Sequence, residues 1–79
     1  ASPIAKPMKR LGSGVFEVAL PYRGNAFRVV YAVQIGDDIW VVHAFQKKST
    51  HGIATTQRDI ALIKQRLQRA YEISMERRR

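Results

Sequence analysis

Seventy-nine residues with 46% apolar content make one small domain with a core of its own and exclude a disordered chain. There is no cysteine, which removes disulfides and thiolate metal sites, and no apolar run nears the roughly 20 residues that span a bilayer. Fourteen Lys and Arg against six Asp and Glu leave a net charge of +8, which favours a nucleic acid, an acidic protein or an anionic surface as partner.

Residues 1–14 read as an arm or linker: Pro3 and Pro7 punctuate it, Lys9 and Arg10 follow, and Gly12-Ser13-Gly14 makes a turn. The domain proper is expected over 15–75, with a basic tail at 76–79. Val15 to Leu20 alternates, with Phe16, Val18 and Leu20 on one face and Val15, Glu17 and Ala19 on the other, which predicts a strand with one apolar face. Pro21 to Asn25 is a turn. Ala26 to Gln34 is a second strand, with Phe27, Val29, Tyr31 and Val33 on one face and Arg28, Val30, Ala32 and Gln34 on the other. Gly36-Asp37-Asp38 turns the chain into a third strand, Ile39 to Gln46, which is apolar on both faces and so expected to sit centrally or be covered on both sides.

A three-residue loop at 36–38 pairs Ile35 with Ile39. That register puts Ile39, Val41, His43 and Phe45 on the Phe27 face, and Trp40, Val42, Ala44, Gln46 and Lys48 on the Arg28 face. The hairpin returns Lys47 and Lys48 to the neighbourhood of Arg28, so three cations are expected together at one end of the sheet, an arrangement suited to phosphate. Residues 47–53 form a polar loop carrying His51. Thr56 followed three residues later by Asp59 caps a helix whose stripe of Ile60, Ile63, Leu67, Ala70 and Tyr71 packs on the sheet.

Metal and nucleophile chemistries find little support. His43 alternates with Val41 and Phe45 and has no acidic residue at ligand spacing, so it reads as a satisfied core histidine. His51, beside the lysines, is either a proton carrier or a solvated loop residue. No GxSxG, GxGxxG or GxxxxGK[ST] is present. The basic cluster suits RNA: a 2′-hydroxyl attacks the adjacent phosphorus, a base takes its proton, cations hold the added charge and an acid protonates the leaving oxygen. None of these steps requires a cofactor.

KPMKRLGSGVFEV, GNAFRVVYAV, IWVVHAFQKKS and a capped helix with IALIKQRL together resemble the phage-derived branch of the RelE/HigB toxins over roughly residues 6–70. The resemblance implies an α+β fold, a small twisted antiparallel sheet packed by a C-terminal helix, with the family's N-terminal strand and helices missing or shortened. A chain lacking a central strand is expected to complete its sheet by homo-oligomerisation or strand exchange. It also implies a cytoplasmic, metal-independent endoribonuclease (an mRNA interferase) that cuts mRNA on the ribosome, and an antitoxin partner, often a helix-turn-helix protein. Carried over by residue, Arg28 contacts the scissile phosphate and Lys48 takes the place of a second catalytic arginine, with Lys47 and His51 as further catalytic candidates. Arg23, Arg66, Lys9 and Arg10 are the RNA-binding candidates. Arg66 matches a recurring basic position whose purpose is either RNA contact or packing. The chain departs from RelE at Glu17 and Ala19, where lysines are expected, and at Ala54, where a tyrosine is expected. Tyr22 or Tyr31 would substitute for that tyrosine only if the fold brought one close. A non-catalytic binding module for RNA or an acidic segment is the competing expectation.

Overall fold

A computed structural model describes residues 4–24, 26–48 and 56–78. Four antiparallel strands run in sequence order across one sheet: β1 (Ile4–Pro7), β2 (Val15–Pro21), β3 (Ala26–Ile35) and β4 (Asp38–Lys48). A 21-residue helix, α1 (Gln57–Arg77), packs on one face, chiefly over β3 and β4. The fold is α+β, as the hairpin periodicities and the helical stripe require.

Period-two alternation on β3 decides which face the helix covers. Val29, Tyr31 and Val33 are fully buried under α1, joined by Val15 from β2 and by Ile63, Leu67 and Ala70 from the helix. Arg28 and Gln34, on the alternate positions, are exposed. The helical stripe departs from expectation at one turn: Tyr71 is exposed, and the small Ser74 takes the buried place. Thr56 caps the helix as predicted, its hydroxyl accepting from the Asp59 amide at 3.1 Å.

Four further features differ from the sequence-based expectation. The stretch read as an arm contains β1, whose Ile4 to Pro7 pair with Ala19 to Phe16, and a 3-10 turn at Lys9–Leu11. On β2 the buried positions are Val15 and Glu17, while Phe16, Val18 and Leu20 lie half-buried on the face away from the helix. β4 is an edge strand covered on one face, with Ile39 and Val41 exposed.

The fourth difference explains that exposure. The hairpin loop has two residues, since Ile35 pairs with Asp38, and Gly36 turns it with φ at +62°. The expected pairing is restored beyond a β-bulge: Ala32 pairs with Val41 but Tyr31 with His43, leaving Val42 unopposed. Before the bulge, Trp40 faces the helix and Ile39 and Val41 share Arg28's face, the reverse of expectation. Val42 turns inward and is buried, and beyond it His43 and Phe45 lie on the helix face as predicted.

Candidate nucleic-acid interface

Arg28 stands on the open face of the sheet. Its backbone partners are Leu20 on β2 and Gln46 on β4, and its side chain is exposed. Lys48 pairs with Ala26, so its register position shares the Arg28 face, as expected. Lys47 pairs with Phe27 and belongs to the other face, where its ammonium lies 4.9 Å from the Phe45 ring centroid. The three-cation cluster is therefore split: strand alternation sends adjacent lysines to opposite sides.

One aromatic residue joins Arg28. The turn after β2 is closed by Tyr22 N–H donating to Ala26 C=O at 2.9 Å and Ala26 N–H donating to Arg23 C=O at 3.0 Å. It holds the Tyr22 ring beside the guanidinium, with the Arg28 carbon 5.2 Å from the ring centroid. Arg23 is exposed in the same turn. Lys9 and Arg10 are exposed as well, but beside the start of β2. Val15 lies five residues along the strand from Leu20, about 17 Å away, so this pair does not join Arg28. His51 lies outside the described residues.

The helix face carries a polar network that sequence reasoning did not assemble. Tyr31, fully buried, donates its hydroxyl to Glu17 Oε2, and Lys6 Nζ reaches Glu17 Oε1 at 3.3 Å. Glu17, placed by alternation on the face opposite Phe16, Val18 and Leu20, is only 4% exposed, and the lysine and phenol compensate the loss of water around its charge. The Tyr31 ring stacks with those of His43 and Phe45, at centroid distances of 6.4 and 6.0 Å.

His43 is indeed a satisfied, mostly buried histidine. Arg66 Nη1 lies 3.1 Å from His43 Nδ1, and a guanidinium can only donate, so Nδ1 accepts. That leaves the Nε2 proton to be donated to Asp59 Oδ1 at 3.2 Å. Arg66 also donates to the carbonyl of Val42 at 3.0 Å, satisfying the backbone at the bulge. The Thr56 hydroxyl donates to Asp59 Oδ2 at 2.8 Å. That bond, aided by His43 and the charge of Lys47, holds the Asp59 carboxyl below its ordinary 3.8 against the opposing effect of desolvation. Arg66, a candidate for RNA contact or packing, is exposed and makes these hydrogen bonds to β4 on the side of the sheet away from Arg28.

Cross-strand register was the missing signal for this network. Once the turn pairs Pro21 with Phe27, Glu17 must face Tyr31, and the two residues announce a buried bond. Among the described residues, no three His, Cys, Asp or Glu side chains gather as a metal site. Nor does any helix among them have the length and apolar character to cross a membrane.

Comparison with known proteins adds one result. Residues 1–68 match the family model described as phage derived protein Gp49-like (DUF891). The chain belongs to this phage-derived family. No curated protein and no solved structure matches it. Membership is compatible with the toxin of a toxin–antitoxin pair.

Proposed function

We propose that this Gp49-like chain is the toxin of a bacterial toxin–antitoxin system, acting in the cytoplasm as an endoribonuclease of RelE/HigB type on ribosome-bound mRNA. The observation that carries the reading is Arg28: an exposed guanidinium on an open sheet face, with Lys48 at a neighbouring position of the same face, in a chain of net charge +8. The fork of Arg28 fits two phosphoryl oxygens. As the 2′-oxygen bonds to phosphorus and the 5′-oxygen departs, charge builds on those oxygens, and a fixed cation stabilises it. Lys47, on the opposite face, has no part in this step. An antitoxin, often a helix-turn-helix protein in such systems, is the expected partner.

A second reading has an observation of its own. Among the described residues, Glu17, His43 and Asp59, each able to take a proton, lie on the helix face, away from Arg28. A chain with phosphate contacts but no base beside them would bind RNA, or an acidic segment, without cutting it.

Expression in bacteria separates the two. The wild-type chain is expected to arrest growth and leave mapped cuts in mRNA. Arg28→Ala should lower cleavage by about 10²–10³-fold, the usual loss for one transition-state donor, while circular dichroism keeps the native sheet and helix. Undiminished cleavage by a folded Arg28→Ala chain removes Arg28 from the chemistry. A folded wild-type chain that leaves growth and mRNA intact supports the binding module.

A further inference from the structure

We infer that Tyr22 is a stacking platform for a nucleobase, so that the open face takes one unpaired nucleotide with its phosphate on Arg28 and its base on the phenol ring. The inference rests on RNA as the ligand, as proposed above, and on nothing about cleavage. Three observations carry it.

The first is position. Residue 22 continues the alternation of Val18 and Leu20, so Tyr22 belongs to the face that bears Arg28. The second is exposure. Tyr22 is 47% exposed, although it belongs to a residue type that gains by burial. Its backbone N–H donates to the Ala26 carbonyl at 2.9 Å and the turn beyond it is closed by a second hydrogen bond, Ala26 N–H to Arg23 C=O, so the ring is presented from a hydrogen-bonded turn. The third is the guanidinium at 5.2 Å from the ring centroid. Phosphate and base are one sugar apart in a nucleotide, the same scale as this separation. Cation–π attraction also restrains Arg28, so the anion site and the ring come as a unit. Every base has a π-face, so such a platform serves any sequence. Tyr31 has no claim to this role, being fully buried on the other side of the sheet.

The test is equilibrium binding by fluorescence anisotropy with the 79-residue chain. The probes are a labelled single-stranded 2′-O-methyl oligonucleotide of mixed sequence, which cannot be cut by 2′-oxygen attack, and an abasic strand of equal length. Tyr22→Leu is expected to weaken the oligonucleotide at least about five-fold, the low end for loss of one base–aromatic stack. It should leave the abasic strand unchanged, and Tyr22→Phe should bind as the wild type does. Circular dichroism checks that each variant folds. Equal affinity of Tyr22→Leu and wild type overturns the platform. So does an equal loss on the abasic strand, which would mean that the ring serves only to place Arg28. A loss in Tyr22→Phe would transfer the role to the hydroxyl, and no measurable binding by the folded wild-type chain removes the site. Base-dependent binding by a chain that cleaves no mRNA sinks the ribonuclease reading and leaves the platform standing.

Discussion

Asp59 connects the helix cap to the sheet. It receives a hydroxyl from Thr56, an N–H from its own backbone to that same threonine's oxygen completes the cap, and His43 reaches its other oxygen. The lowered carboxyl titration carries a sign. A group held below its ordinary 3.8 adds stability that is complete above that value and disappears as pH falls through the lowered one. Urea midpoints of the wild-type chain should therefore fall between about pH 5 and about pH 2, and those of Asp59→Asn should fall less. A parallel decline in both chains would show that Asp59 is not the group responsible. Single residues were unevenly legible. Thr56 and Asp59 stood out because a capping pair is local. Glu17 did not, because its partners, Lys6 and Tyr31, come from other strands and their approach depends on register.

Element by element, the helix was the more legible half of the fold. Its apolar spacing placed Ile60, Ile63, Leu67 and Ala70 correctly, and only the last turns drifted, where Ser74 rather than Tyr71 meets the sheet. Removing the cap hydroxyl with Thr56→Ala should cost about 1 kcal/mol, read as a lower urea midpoint with unchanged slope. A change far below that would mean that the helix start is held by other contacts. The hairpin was legible in its outer half alone. A shorter loop and a compensating bulge produce the same pairing at Arg28 and Gln46 as a longer loop without a bulge. Alternation along β4 could not separate the two, because Ile39 through Val42 are all apolar and either face accepts them. Position 42 tells them apart in space: its carbonyl meets Arg66, and its side chain enters the core.

At the scale of the whole molecule, the sheet divides two kinds of work. One face holds α1 through apolar packing and the histidine–aspartate–arginine network; the other presents Arg28 and Tyr22. A net charge of +8 adds a long-range term that phosphates would feel before any contact forms. Affinity for single-stranded RNA should therefore fall linearly with log salt concentration. Arg28→Gln should lower that slope by about 0.7, the single-strand value for one phosphate. An unchanged slope would place the contact elsewhere, among the cations at the other end of β2.

Because β3 serves both layers with alternate residues, the two jobs share one backbone ruler. Substitutions can alter the exposed face while the buried positions stay untouched, and the reverse is equally open. Changes in length have no such freedom. Deleting or inserting a single residue within β3 before Arg28 would drive a guanidinium toward the helix and expel a valine into water. Among the described strands, β4 carries one residue more than its partner at the bulge, Val42, with an arginine holding its carbonyl.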